Sequence, residues 1–566
     1  MNHGSPRVAL ALCALLLVVY LANGLWRGPE GRSGDTIPAR YLPFSILRHG
    51  NFYLDDIPER PAGHAYFVRR IHGHLVSDYP VGTALLAVPV YAPFVLAGLQ
   101  PSSRLVPWLE KIAAAVLVAA SASVLYLALV ELTSAGAALA LAAVYGLGTS
   151  ALSVSSQALW QHGGSQLALA AALYCVARSR AVPGLAAVSG LPMAFAVVCR
   201  PTDVLAVAPL AAWVLIVRRD WRLVVWALPP VVFQAWYGAT YFGDPLRAQF
   251  SMTGGLFSMD IGEGLYGVLL SPGRGLLAYS PIFLLSIVGA VMAWRPGGSG
   301  LLRAISVGVV ASIALFGRWL SWHAGISYGP RLLADVTPLL TALIVPVVPA
   351  IRRSRTLAAM ALVLALWSII AHAYGLVPAW GSHVYYRVDR PLDDALWSWR
   401  HHAVVGWLVP SDVAPERPEP FFADVAEWDR PDARVRLAVT GTRFELGETL
   451  HVGLAVDNTT GRAQDLYVAV YSPGHGVALF MPSARTLTTP VSIARPQWFR
   501  RFRTVPPGAR VDEPRLLAYS FPHHTPLGTL YVLAALVEPG SRPWRVVAAD
   551  VKRLEVEPPA VDGRRS

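Results

Sequence analysis

Lysine is nearly missing from this 566-residue chain, occurring only at Lys111 and Lys552, and cysteine occurs three times, at Cys13, Cys175 and Cys199. All three thiols lie in apolar stretches, which excludes a disulfide framework and a cysteine-based zinc site. Charged residues make up only 14% of the chain against 54% hydrophobic ones, with a mean hydropathy of +0.46. That balance describes a polytopic membrane protein, solvated largely by lipid. The net charge of +12 is carried by arginines lying mostly between hydrophobic runs. They read as topology signals and anionic-headgroup contacts; no basic stripe lies on a soluble portion, which argues against nucleic acid as a partner. No Ala-x-Ala cleavage site follows the apolar run Val8 to Leu21, so this run reads as a signal-anchor helix. Internal repeats and low-complexity segments are absent as well.

What is present is a series of runs long enough to cross a bilayer, roughly 17 to 25 residues each. They centre on 8–26, 108–130, 135–152, 163–178, 184–199, 203–217, 222–242, 276–294, 301–318, 332–350 and 356–375. A further run, Val81 to Leu99, contains Pro89 and Pro93, which remove helix hydrogen bonds. If it does not cross, Arg178, Arg218, Arg295, Arg303 and Arg352 share the side of Arg7, as the positive-inside rule requires. It is therefore read as a kinked juxtamembrane or re-entrant pair of helices, giving about eleven spans with a cytoplasmic N-terminus.

Beyond the spans the pattern changes to short alternating runs at 434–439, 450–456, 466–471, 477–480, 530–537 and 546–556. These predict an immunoglobulin-like sandwich on the extracytoplasmic side. The expected organisation is a transmembrane domain over 1–375, within which 27–106 forms an extracytoplasmic loop with juxtamembrane helices. A linker over 376–430, a β-sandwich over 431–558 and a disordered tail over 559–566 follow.

This topology gathers the polar, glycine-rich and aromatic loops on the outer face. Asp35, just beyond the first span, is placed to take a proton from a hydroxyl, or else caps the amphipathic run that follows. Asp55, Asp56 and His162 are candidates for acceptor or metal binding, with a solvated turn or an interfacial hydrogen bond as the plainer role. Arg200, Arg274 and Arg331 each sit at the outer end of a span beside glycine or proline, and guanidinium groups match phosphate oxygens with paired hydrogen bonds. Arginines at helix ends also snorkel to headgroups. Trp160, Trp322, His323 and Tyr328 are candidates for stacking against a sugar, or for the interfacial aromatic belt. The segment Arg69-Arg70-Ile71-His72-Gly73-His74 reads as a hairpin turning at Gly73.

An early loop aspartate, the step Tyr79-Pro80-Val81-Gly82, a Ser/Trp/Gln/His loop after the third span, Arg200-Pro201-Thr202 and Ser327-Tyr328-Gly329-Pro330-Arg331 together resemble the GT-C superfamily of lipid-dependent glycosyltransferases. Its protein O-mannosyltransferase and aminoarabinose transferase branches are the nearest in layout, over about residues 1 to 375. The resemblance implies a plasma- or inner-membrane enzyme that moves a sugar from a polyprenyl-phosphate donor to an extracytoplasmic acceptor, with Asp35 as base and Arg200 near the lipid phosphate. Those branches often carry an acidic residue in the second outer loop, whereas the loop from Ser153 to Gly164 offers only His162. A divalent cation cofactor is therefore left open, and no other cofactor is expected. A transporter or flippase of a lipid-linked or polar solute, and a non-catalytic scaffold with a glycan-binding sandwich, are the alternatives.

Overall fold

A computed structural model describes residues 5–24, 34–58, 67–245, 257, 259–319, 321–324, 327–376, 396–399, 402, 404–405, 433–445, 448–472, 477–481, 490–492, 501–520, 528–540 and 546–557. The expected linker falls mostly, and the expected tail wholly, outside the described residues. The chain divides into two compact units, one carrying the helices through Tyr374 and one carrying the strands from Ala433 onward.

In the first unit, Val106–Val130 is a 25-residue helix whose alanines and serines let neighbours approach closely. Pro6–Ala22, Ala135–Leu147 and Gln161–Arg178 pack against it. Among the described residues, four helices are long and apolar enough to cross a membrane: Val106–Val130, Arg222–Phe242, Gly300–Arg318 and Arg355–Tyr374. Shorter apolar helices include Pro6–Ala22, Gly82–Leu96, Ala135–Leu147 and Ile261–Leu270. Proline explains much of the shortening. The run at 332–350 breaks into Thr337–Leu343, Val345–Val347 and Val348–Arg353, each with a proline in its first turn. Arg222–Phe242 leaves Trp226, Val231, Val232 and Trp236 exposed, an apolar face suited to lipid rather than water.

The expected pair of helices at Val81 to Leu99 is one helix, Gly82–Leu96, with both Pro89 and Pro93 inside it. The prolines are four residues apart, so the two missing N–H groups fall on the same face and the rest of the ladder survives. Strands β1 (Val68–Ile71) and β2 (His74–Ser77) form the expected hairpin. His72 and Gly73 have φ of 49° and 87°, the doubly left-handed turn that suits the twist of two-residue hairpins.

The second unit is a two-sheet β-sandwich. One sheet has the order β10 (Arg510–Ser520), β5 (Thr449–Asn458), β3 (Ala433–Val439). The other runs β4 (Arg443–Glu445), β12 (Val546–Glu557), β11 (Gly528–Val537), β6 (Gln464–Ser472), β7 (Val477–Phe480), β8 (Pro490–Ser492), with β9 (Arg503–Val505) also paired to β6. All the pairs are antiparallel except β4 with β12, which is parallel. Val435, Val452 and Leu454 from the first sheet share one core with Leu466, Val532 and Leu554 from the second. The alternation that marked six of these strands in the sequence is the inward-facing set of each sheet. Strand β11 is buried on both faces, because Leu533, Ala535 and Val537 join Ala469 and Phe480 in a second cluster.

Candidate functional site

Asp35 lies in a 3-10 turn, Gly34–Thr36, that feeds helix Ile37–His49. The N-cap position belongs to Thr36, and no side chain caps the helix there. The Asp35 carboxylate instead accepts hydrogen bonds from the Tyr79 hydroxyl at 2.8 Å and from an Arg331 terminal nitrogen at 2.5 Å. Tyr79 is itself fixed by Ser77, whose Oγ accepts from the Tyr79 N–H at 3.0 Å and donates to the Tyr79 carbonyl at 2.7 Å. The β1–β2 hairpin, which ends at Ser77, thus delivers the phenol to the aspartate.

Arg331 begins a 3-10 turn, Arg331–Leu333, directly after Gly329 and Pro330. Its second terminal nitrogen donates to the Ala324 carbonyl at 2.8 Å, and the guanidinium carbon lies 4.5 Å from the centre of the Trp160 ring. Its Nε is buried and has no hydrogen-bond partner among the described residues. Trp160 therefore acts as a platform beneath a cation.

Arg274 approaches from a different element, the turn after helix Ile261–Leu270. The Ser271 hydroxyl accepts from the N–H groups of Gly273 and Arg274, each at 3.2 Å, which shapes the turn. The Arg274 guanidinium donates to the carbonyls of His323 at 2.9 Å and Gly273 at 3.0 Å. Arg274 and Arg331 line one open cleft, together with Val268, Trp322, His323 and Leu332. Trp322 reaches it because Gly267 has no side chain; a Cβ there would stand 2.7 Å from the indole ring. His323 is pushed down to about 4 by burial and then by the charges of Arg274 and Arg331, so its imidazole is neutral at neutral pH.

Arg200 does not line this cleft. Its guanidinium is ion-paired with Asp335, donates to the Leu332 carbonyl at 3.0 Å and covers the Phe316 ring with 4.7 Å to the centroid. His162 joins the same buried group, with Nδ1 2.8 Å from Asp335 and 3.2 Å from an Arg200 nitrogen. Asp55 is held by His74 and by the Leu75 N–H, both at 2.7 Å, and Asp56 faces His49 at 2.9 Å on the surface. The Tyr328 hydroxyl donates to the Ala371 carbonyl and its ring meets Tyr279 edge-on at 5.4 Å. Among the described residues, no group of three or more His, Cys, Asp or Glu side chains is arranged to hold a metal ion.

Two contributors escaped the sequence. Glu110 pairs with Arg40 at 2.7 Å in a fully enclosed ion pair, and its other oxygen accepts from the Leu159 N–H at 3.2 Å, one residue before the Trp160 platform. Tyr79 was visible only as part of a Tyr-Pro-Val-Gly step, without a role.

The chain is similar in structure to ArnT. A structure of ArnT from Cupriavidus metallidurans bound to undecaprenyl phosphate aligns with 15% identity and a TM-score of 0.41, covering 64% of this chain and 70% of that one. The apo structure aligns with 17% identity and a TM-score of 0.42, covering 70% of this chain and 68% of that one. No family model and no curated protein matches the sequence.

Proposed function

We propose that the chain is a glycosyltransferase that moves a sugar from a polyprenyl-phosphate donor to an acceptor hydroxyl outside the cytoplasm. One observation carries this reading: two arginines from separate elements, Arg274 and Arg331, face one cleft, and a carboxylate, Asp35, is bonded to the second of them. Two guanidinium groups on one volume suit a phosphate, whose negative charge grows as the sugar leaves. Asp35, bonded to the cleft residue Arg331, suits a general base.

In this mechanism the acceptor hydroxyl gives its proton to the Asp35 carboxylate as its oxygen attacks the anomeric carbon. The bond from that carbon to the phosphate oxygen breaks, and its electron pair departs with the polyprenyl phosphate, held by Arg274 and Arg331. Trp322 and His323 form the cleft wall against which the sugar packs. The neutral His323 can donate or accept a hydrogen bond without adding charge.

The proposed topology retains about eleven crossings, with the N-terminus in the cytoplasm and both the cleft and an immunoglobulin-like sandwich outside. The position of the charges favours an enzyme over a transporter. Glu110 and Lys111 lie in the first two turns of Val106–Val130, Asp203 is the N-cap of Val204–Ile216, and Asp335 lies two residues before Thr337–Leu343, whereas transport sites place such groups near the bilayer midplane.

The test is incubation of the purified protein with a panel of polyprenyl-phosphate sugars and candidate acceptors. Consumption of one donor with release of polyprenyl phosphate is expected. Tight donor binding without consumption, together with donor movement across vesicles, would replace the transferase by a flippase.

A further inference from the structure

The contact between Arg331 and Asp35 joins the group proposed to hold the donor to the group proposed to take the proton. An aspartate that accepts at 2.5 Å from a guanidinium has one oxygen committed to a cation, and a carboxylate neutralised in this way is a weak base. Arg331 is also the arginine that lines the cleft with a buried, unpartnered Nε among the described residues. A guanidinium has five donors in a fixed fork. With one terminal nitrogen on Asp35 and the other on the Ala324 carbonyl, both terminal nitrogens are already engaged, and a phosphate that takes the terminal edge competes with Asp35 for it.

We infer that Arg331 is shared between Asp35 and the donor phosphate, so that donor binding draws the guanidinium off Asp35 and releases the base. Tyr79 is the positioning residue that keeps the carboxylate in place through the exchange. Its hydroxyl donates to the other carboxylate oxygen, and its backbone is pinned from both sides by Ser77. The aspartate therefore stays oriented by a neutral donor after its cation has left. The acceptor hydroxyl is deprotonated only when a sugar is present to receive it, and once polyprenyl phosphate has left and Asp35 has given its proton to water, the emptied enzyme returns to the closed pair. No atom is gained or lost in the exchange: one ion pair breaks and another forms.

This inference rests on the proposed donor site, and its signature has a sign that a simple base lacks. Asp35→Asn removes the charge competing for Arg331, so this variant should bind a short-chain polyprenyl monophosphate about tenfold more tightly than wild type, while losing transfer. Tyr79→Phe should leave monophosphate affinity and donor KM unchanged and lower kcat about tenfold. Equal or weaker monophosphate binding by Asp35→Asn, with wild type binding normally, overturns the sharing. A change in KM alone for Tyr79→Phe overturns its positioning role. If wild-type protein binds no monophosphate, the donor site and the exchange fall together.

Discussion

Replacing each of the three candidate arginines, Arg200, Arg274 and Arg331, separates the cleft from its surroundings, because the structure gives them different contacts. Arg274 is held by two carbonyl acceptors, at 2.9 and 3.0 Å, that fix its guanidinium against the cleft. Removing it by Arg274→Ala loses a charge-assisted contact to phosphate, about 1.5 to 3 kcal/mol, or roughly ten- to over a hundredfold in affinity. Arg274→Lys restores the charge but not the planar fork that reaches two carbonyls and a phosphate at once, so it should recover only part of the loss. Arg331→Ala should cost less than Arg274→Ala, because in the wild-type protein part of the phosphate contact is offset by breaking the Asp35–Arg331 pair. Arg200→Gln should behave otherwise. Its guanidinium neutralises Asp335, whose side chain is 2% exposed, and breaking such a pair from one side costs about 3 to 5 kcal/mol of stability. Donor affinity of the protein that remains folded should stay within about twofold of wild type. The assay is titration of detergent-solubilised variants with polyprenyl phosphate, following tryptophan fluorescence, alongside thermal unfolding. Wild-type affinity in Arg274→Ala, or a large affinity loss in Arg200→Gln without loss of stability, would refute the division of labour.

Asp35→Asn should lower single-turnover transfer by about 10² to 10⁴, whereas Asp55→Asn and Asp56→Asn, which lose only surface pairs with His74 and His49, should transfer at near wild-type rates. Glu110→Gln breaks the enclosed pair with Arg40 from one side and should destabilise by about 3 to 5 kcal/mol, while Arg40→Met combined with Glu110→Met should recover most of that in a double-mutant cycle. Because the folded His323 is pushed down to about 4, the unfolded chain binds the extra proton first as pH falls below the ordinary value of about 6.5. Stability due to this group is therefore present above that value and lost between it and about 4. Unfolding temperatures of His323→Phe should fall less steeply than those of wild type across that window.

The parts of the fold written in local patterns were legible. Apolar runs predicted helices because lipid-facing and packed residues both have to be apolar, and alternation predicted β3, β5, β6, β7, β11 and β12. Strand β10 was not seen, since Pro514 and the charges of Arg510, Asp512, Glu513 and Arg515 interrupt the alternation; its register shifts between Glu513 and Leu517. Helix Ile261–Leu270 was too short for a span search, although Asp260 announces it by accepting from the N–H groups of Gly262 and Glu263 at 2.9 and 3.0 Å.

At the site, Asp35, Arg274 and Arg331 were legible because each stands at the end of an apolar run. What each one touches was not. Arg200 has the same local setting as Arg274, and its neutralisation by Asp335 is decided by a residue 135 positions away. The Arg40–Glu110 pair spans 70 positions and the Asp35–Arg331 pair 296. Partners at such separations leave no spacing or motif in a single sequence.

No disulfide joins the two sheets of the sandwich, since Cys13, Cys175 and Cys199 all belong to the helical unit. Antibody domains, by contrast, tie their sheets with a buried disulfide. Folding of this domain therefore requires no oxidant and no disulfide-exchange catalyst. It is indifferent to the redox poise of the compartment that receives it, and a reductant added to protect the three thiols of the helical unit during purification leaves it intact.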